Sequence, residues 1–205
     1  MTEATNVVAG GLTPGYVSRL LDTLDREALI ERRPRGPVES VDVAALVRRW
    51  ASSYDVFGTN ATLPLIAPSG AKALLGAVRR PDPSEPPMVI SRSFAAAEMM
   101  APIAAPALLV AYCDRPEDPA HEHALLRADE GANVILLSPF DKVATARSEF
   151  HDELTYAAPS QVAVDCLTGN GRMPAEGEAL LDWMVGHEAA WRAGGLDALA
   201  LDERA

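Results

Sequence analysis

Apolar residues near the start of the chain repeat with the period of an amphipathic helix. One stripe, at positions i, i+3, i+4 and i+7, consists of Val17, Leu20, Leu21 and Leu24. Thr13 and Pro14 stand before this stripe, and the pair is typical of a helix N-cap followed by the first helical position, where the N–H that proline lacks is not needed. The pattern therefore predicts a helix that begins at Pro14 and buries its leucine face.

The residues after this helix have the pattern of a basic hairpin. Leu29 and Ile30 open a short strand, residues 32–37 (Arg-Arg-Pro-Arg-Gly-Pro) form a tight turn, and residues 38–41 alternate as a return strand. Asp42 then caps a further helix. The order of capped helix, short turn, strand, arginine-rich turn, strand and helix predicts a winged helix-turn-helix, with the first helix as its recognition helix and the hairpin as its wing.

Side chains in the first turns of the helix and at the tip of the hairpin are candidates for DNA contact. The first turns of a recognition helix reach base edges and phosphates, and arginine binds phosphates. The predicted DNA-binding residues are Thr13, Tyr16, Ser18, Arg19, Arg32, Arg33 and Arg35. Alone, a leucine stripe indicates only an amphipathic helix, and an arginine-rich turn only a solvated loop. The order of the elements favours DNA binding.

Residues 1–12 are short for the segment that precedes a recognition helix. A helix-turn-helix needs one helix before the turn, a winged helix normally has another before that, and Gly10 and Gly11 interrupt this segment. We therefore expect the first helix to be missing. Either the start was assigned too late, or part of the DNA-binding scaffold was lost and another surface covers the exposed leucine face.

Beyond residue 60 the pattern changes to alternating strands and helices. Strands are predicted at 61–67, 88–91, 107–113 and 133–139, and helices at 68–80, 93–100 (capped by Ser93), 120–128, from Pro159, and at 174–193. Such alternation predicts a mostly parallel or mixed sheet covered by helices. The predicted fold class is α/β (α+β overall), with a winged helix at 1–54, an α/β domain at 55–193 and a tail at 194–205.

The net charge of −11 is unevenly distributed. Residues 1–50 contain seven arginines and seven acidic residues, so the remaining 11 basic and 22 acidic residues carry the whole excess. A neutral N-terminal region can make a local phosphate contact, whereas an acidic body suppresses non-specific binding. No apolar run approaches the ~20 residues of a membrane span, and the N-terminus lacks the features of a secretory signal. We expect a cytoplasmic protein without membrane contact.

Groups that could carry out catalysis or bind a metal are few. The histidines of His-Glu-His at 121–123 diverge on a helix, and no nearby ligand completes a metal site. Asp141-Lys142 lacks the second acidic residue of a nuclease site, and Cys113 and Cys166 lie in apolar runs typical of reduced core thiols. No phosphate-binding glycine loop or nucleophile elbow is present. The sequence therefore predicts no catalytic residue, no metal and no cofactor.

One polar pair stands out in the apolar segment that starts at Pro159. Gln161 and Asp165 lie one helical turn apart, in a helix whose other residues are core candidates. We expect a structural role in which Asp165 bonds to the following turn or forms a salt bridge with Arg172. Catalysis by Asp165 is the alternative.

Two segments together resemble a known family. GYVSRLLDTLDREALIERR and APSQVAVDCLTGNGRMPAEGEALLDWM resemble the AbiEi-type transcriptional regulators, the antitoxins of type IV toxin–antitoxin systems, over residues 8–193. The resemblance implies a winged helix that binds operator DNA for autoregulation and a C-terminal α/β domain that acts in antitoxicity without stable contact with the toxin. One departure is Ala28, where such wings usually have glycine, at a cost of about 1 kcal/mol in a left-handed position.

These observations predict a DNA-binding transcriptional regulator. Its expected partners are double-stranded operator DNA and a second copy in a homodimer, with a functional link to a cognate toxin. A decayed nucleotidyl transferase or nuclease is one alternative, and a pocket with converging carboxylates would favour it. A protein-interaction module with a non-functional winged helix is the other.

Overall fold

The N-terminal helix begins where its capping residues predict. The computed structural model describes residues 13–33, 36–80, 88–100, 103 and 105–192. Helix α1 spans Pro14–Arg26, and the Thr13 side chain accepts a hydrogen bond from the Tyr16 N–H at 3.3 Å. Ala28 ends the helix with a φ of 55°, in the left-handed region, while the Leu29 N–H donates to the carbonyl of Leu24 at 2.9 Å. The predicted N-cap and the strained position of Ala28 are both confirmed.

The leucine stripe of α1 is not buried, so this part of the prediction is wrong. No side chain of α1 is classed as buried, and Leu20 is 41% exposed. The reason is that α1 lies mainly against a single short strand, β1 (Ile30–Arg32), rather than between other helices. A helix face with so little cover keeps much of its apolar surface in water.

The predicted hairpin forms directly after α1. Strand β1 pairs in antiparallel register with β2 (Val38–Val41), so that Ile30 lies opposite Val41. The register shifts between Glu31 and Arg32, as at a β-bulge, and Leu29 and Ile30 are buried. The hairpin is therefore attached to the rest of the chain by its buried base.

Helix α2 (Val43–Ala51) connects the hairpin to the α/β part of the chain. The Asp42 side chain caps it, as predicted, by accepting a hydrogen bond from the Ala45 N–H at 2.9 Å. Val47 and the following Tyr54 are buried in the same hydrophobic core as the central sheet. Arg48 also forms a bidentate ion pair with Glu178. The predicted boundary at residue 54 thus falls within a continuous core, and the division into domains stays a prediction.

The described strands of the α/β part form one mixed seven-stranded sheet, in the order β6-β3-β7-β5-β4-β9-β8. The pairs β5–β7 and β4–β9 are parallel and the other pairs are antiparallel, so the predicted α/β class with a mixed sheet is confirmed. The strands are β3 Ala61–Ile66, β4 Val89–Ser91, β5 Leu109–Tyr112, β6 Leu126–Arg127, β7 Val134–Ser138, β8 Glu149–His151 and β9 Leu154–Tyr156.

Helices cover this sheet, and two of them also pack closely against each other. The helices are α3 Val56–Thr59, α4 Ala71–Ala77, α5 Arg92–Met99, α6 Glu117–Glu122, α7 Pro159–Leu167, α8 Met173–Gly186 and α9 Glu188–Trp191, with a 3-10 helix at Lys142–Thr145. Helix α7 is buried along most of its length and packs against α8. A Cβ on Gly177 would lie only 2.8 Å from the Leu167 N, so glycine allows the two helices to meet closely.

Several predicted boundaries differ from the structure. The helix predicted at 120–128 ends at Glu122, because Ala124 adopts a φ of 49° and Leu126 pairs with β3 as part of an edge strand. The helix predicted at 174–193 ends at Gly186, and Trp191 folds back so that its indole N–H donates to the Met184 carbonyl at 2.7 Å. In the described ranges, no helix has the length and apolar character that a membrane crossing requires.

The predicted capping role of Ser93 is also wrong. Helix α5 begins one residue earlier, at Arg92, and Ser91 occupies the N-cap position without a side-chain capping bond. The Ser93 hydroxyl donates instead to the Met173 sulfur at 3.2 Å. The hairpin formed by β8 and β9 was not predicted, and neither was the short helix α3.

Candidate functional site

The predicted DNA-contacting residues of the helix share one exposed end of α1. Thr13, Ser18 and Arg19 are exposed, and Tyr16 is 49% exposed. The Arg19 guanidinium has no hydrogen bond or ion pair among the described residues; only its backbone carbonyl is engaged, by the Thr23 hydroxyl at 3.0 Å. The Thr13 hydroxyl is used as a cap. The first two turns of α1 therefore offer a polar surface with one unengaged cation.

The predicted wing arginines have different environments. Arg32 forms ion pairs with Asp22 and with Asp25, the latter at 3.5 Å, and its side chain is only 13% exposed. Arg33 is 77% exposed and pairs with Glu39 across the hairpin at 2.5 Å. Arg35 lies outside the described residues. Arg32 thus links the hairpin to α1, whereas the Arg33 side chain projects into solvent.

A fourth ion pair links α2 to the end of α1. Arg49 of α2 donates to Glu27, just after α1, at 2.8 Å. Together with the Arg32 pairs, this contact fixes α1, the hairpin and α2 relative to one another at the surface. Exposed ion pairs contribute little stability individually, roughly 0–1 kcal/mol each, so their effect here is mainly geometric.

The polar pair predicted in α7 lies at the centre of a buried network. The Gln161 amide donates to Asp165 at 2.8 Å, one helical turn away. Asp165 has no exposed surface and also accepts hydrogen bonds from the hydroxyls of Ser91 at 2.6 Å, Tyr112 at 2.8 Å and Tyr54 at 3.2 Å. The expected bond to the following turn or to Arg172 is wrong, because Asp165 points into the sheet while Arg172 is exposed beyond the end of α7.

The network joins elements that are distant in the sequence. The hydroxyls of Tyr54 and Tyr112 lie 3.1 Å apart, and the Asn60 amide donates to Tyr54 at 3.2 Å and to the Val56 carbonyl at 2.7 Å. Asn60 in turn accepts a hydrogen bond from the Phe140 N–H at 3.0 Å. The segment after α2, strands β4 and β5, and α7 are thus linked through one carboxylate.

Burial dominates the titration of this network. It raises the pKa of Asp165 from 3.8 to about 6, against the opposing effect of the four donated hydrogen bonds. Burial also raises the pKa of Tyr54 to about 12 and that of Tyr112 further. A carboxylate without exposed surface and with its oxygens occupied by protein donors cannot touch a substrate in this conformation. The arrangement therefore supports a structural role for Asp165.

No family model, curated protein or solved structure matches this chain.

The remaining candidate groups are explained by local contacts. The Asp141 side chain accepts a hydrogen bond from the Val143 N–H at 2.9 Å and so caps the 3-10 helix. Burial raises the pKa values of the Cys113 and Cys166 thiols to about 12, which makes them poor nucleophiles. Within the described ranges, no three His, Cys, Asp or Glu residues are grouped as metal ligands.

Sequence reasoning found two members of the buried network and missed the rest. Ser91, Tyr54 and Asn60 have no local signature, because their convergence depends on the strand order. Tyr112 did offer a signal. It is the aromatic residue with a polar atom in an otherwise apolar strand, and a buried tyrosine hydroxyl needs a hydrogen-bond partner.

Proposed function

We propose that this chain is a cytoplasmic DNA-binding transcriptional regulator whose α1 contacts bases and whose hairpin contacts phosphates. The observation that carries the proposal is the exposed start of α1, where Tyr16, Ser18 and Arg19 face solvent on a helix capped by Thr13. The adjoining two-stranded hairpin lies where a wing would flank such a helix. The Arg19 guanidinium has no described partner to give up on binding.

The two kinds of arginine in this unit have different proposed roles. Arg33 is the wing residue available for a phosphate, because its exposed pair with Glu39 is worth only about 0–1 kcal/mol and exchanges at little cost. Arg32 is engaged by two aspartates, so its contribution is to hold the wing against α1. The phosphate contact predicted for Arg32 would first require those ion pairs to break.

Arg19→Ala tests the proposed base contact. An arginine bidentate to guanine provides roughly 1–3 kcal/mol of discrimination, so the substitution should lower affinity for the operator far more than for random DNA. Fluorescence anisotropy with the DNA upstream of the chain's own gene, varied base by base, and with a random duplex measures both affinities. Arg115→Ala is a matched control, because Arg115 is 82% exposed in the α/β part. A mutant that keeps the wild-type base preference would contradict this role.

Arg33→Ala tests the proposed phosphate contact. Its loss should weaken binding to every sequence alike and reduce the slope of log affinity against log salt by about one. The same outcome is expected for Arg35→Ala. Equal slopes for wild type and mutant, measured on specific and random duplexes at several salt concentrations, would exclude the contact.

The resemblance to AbiEi-type regulators supports autoregulation as the biological role. We propose a homodimer that represses its own promoter and acts functionally against a cognate toxin. A promoter–reporter fusion, with and without the chain, measures the repression. Loss of repression on Arg19→Ala would agree with the binding assay, whereas unchanged repression would refute an operator contact through α1.

A second function is favoured by the uncovered face of α1. Leu20 is 41% exposed on a stripe that no described helix covers, and such a surface suits a protein-interaction module. The two functions separate experimentally. If the intact chain binds neither its upstream DNA nor random DNA at low salt, the interaction module replaces the regulator.

A further inference from the structure

A cleft of about 620 Å³ lies in the α/β part of the chain. Its walls come from α3, the start of α5, the segment that leads into β5, and the turn between α7 and α8. The volume is within the range of small-molecule sites, ~300–1,000 Å³. Phe57, Leu108 and Val110 provide apolar surface, whereas Arg92, Arg172 and Glu176 provide charge. The cleft therefore combines apolar walls with a few charged groups, as ligand sites do.

Arg92 is the unusual member of this lining. Its side chain is almost wholly buried, with the residue 3% exposed, and its guanidinium lies 4.8 Å from the centroid of the Phe57 ring. Among the described residues, its Nε has no hydrogen-bond partner and its guanidinium forms no ion pair. Burial lowers the pKa of Arg92, and the negative charges of nearby groups, Asp165 and Glu176 among them, only partly offset the loss of water. A buried cation without a partner calls for a group that completes its hydrogen bonds.

The backbone around Arg92 is built to accommodate the guanidinium. Arg92 has a φ of 58°, in the left-handed region that is unfavourable for a residue with a Cβ. Gly169 provides the space on the other side, since a Cβ there would collide with the Arg92 Nη2. Strained residues of this kind are concentrated at binding and catalytic sites. Two independent backbone features thus place this cation at the cleft.

Glu176 provides the complementary acceptor. It is 3% exposed, and its Oε2 has no hydrogen-bond partner among the described residues. Although both residues line the cleft, Arg92 and Glu176 are not within ion-pair distance of each other. Arg172, an exposed residue at the rim, adds a second positive charge. The cleft therefore offers unused hydrogen-bond donors and an unused acceptor. Its two arginines and one glutamate together carry a net charge of +1.

We propose that this cleft binds a small organic anion. A carboxylate or phosphate group of the ligand accepts hydrogen bonds from Arg92, a ligand hydroxyl or amine donates to Glu176, and the apolar body lies against Phe57, Leu108 and Val110. Arginine suits this role because its planar guanidinium binds both oxyanions in a bidentate manner. The inference goes beyond the proposed DNA binding and does not depend on it.

Binding of simple probes to the full chain tests the proposal. The probes for isothermal titration are benzoate, phenyl phosphate and the neutral benzyl alcohol. At least one anion should bind saturably, with an affinity roughly tenfold or more higher than that of the alcohol, because the alcohol cannot form the charged hydrogen bond. The tighter anion identifies the preferred oxyanion. Absence of saturable binding of both anions, or equal binding of the alcohol, would overturn the proposal. No DNA is present, so the result is independent of the proposed regulator function.

Two variants then locate the site. Arg92→Gln should weaken anion binding roughly tenfold or more, and Arg172→Gln several-fold, with Arg127→Gln on the distant edge strand β6 as an unchanged control. If Arg92→Gln does not fold, Arg172→Gln decides the matter, since its side chain is exposed and its loss leaves the core intact. Wild-type affinity in a folded Arg92→Gln, or in Arg172→Gln when the former is unfolded, would refute the assignment.

Discussion

The buried Asp165 carboxylate predicts an unusual pH dependence of stability. Its pKa is about 6 in the folded chain and 3.8 in its ordinary, solvated state. Because the folded value is the higher one, the contribution to stability is fully present below pH 3.8 and is lost as the pH rises through about 6. The difference is worth roughly 3 kcal/mol near neutral pH, since one pKa unit corresponds to about 1.4 kcal/mol.

Asp165→Asn isolates this contribution. The amide has the same size and stays neutral at every pH, so the difference in free energy of unfolding between wild type and mutant should fall by roughly 2–3 kcal/mol between about pH 4 and pH 7.5. Urea denaturation followed by circular dichroism at a series of pH values measures both free energies. The comparison cancels the titration of the other carboxylates, including Glu122 and Glu178, whose pKa values are lowered by hydrogen bonds from Arg80 and Arg48.

Asp182→Asn is the matched control, because Asp182 is exposed on α8. This substitution should change the free energy of unfolding by no more than about 0.5 kcal/mol, as is usual for surface substitutions. A difference for Asp165→Asn that is flat, or that increases with pH, would refute the conclusion that burial outweighs the four hydrogen bonds.

Three further substitutions test local backbone and packing. Gly177→Ala should destabilise the chain by about 1–3 kcal/mol, because the new Cβ would lie 2.8 Å from atoms of α7. Gly76→Ala is the control and should stabilise the chain by about 0.5–1 kcal/mol, because nothing lies within 4 Å of a Cβ there. Thermal unfolding of both variants checks this, and equal shifts in the melting temperature would contradict the close contact between α7 and α8. Ala28→Gly should stabilise the chain by about 0.5–1 kcal/mol, because φ at this position is 55° and glycine adopts this conformation without strain. A lower midpoint in urea denaturation would show that the lost methyl group matters more than the relieved strain.

Local sequence signals were sufficient for the N-terminal elements and the central strands. Thr13 and Asp42 mark the starts of α1 and α2 because their side chains satisfy free N–H groups, which is a property of a few adjacent residues. Strands β5 and β7 are recognisable as continuous apolar runs because both faces of a central strand are buried. In each case the decisive interaction is encoded within about ten residues.

The β8–β9 hairpin could not be predicted in this way. All three residues of β8 are exposed, so its sequence has no apolar pattern. The hairpin turns at Asp152 and Glu153, both with positive φ, where glycine or asparagine would have been the usual signal. The buried network escaped prediction for another reason. The spacing of Gln161 and Asp165 drew attention to the pair, but the donors on β4 and β5 are set by strand order.

The edges of the seven-stranded sheet have a consequence for how copies of the chain can associate. Edge strand β6 has two residues and edge strand β8 has three, and these carry the charged or titratable side chains Arg127, Glu149 and His151. Leu126 and Phe150 on the same strands are exposed apolar residues. Such short edges nevertheless expose few backbone groups to a neighbouring strand, and natural proteins use short, charged edge strands against aggregation. Growth of the sheet across a molecular boundary is therefore disfavoured. We therefore expect a dimer of this chain to use surfaces other than the two edges of this sheet.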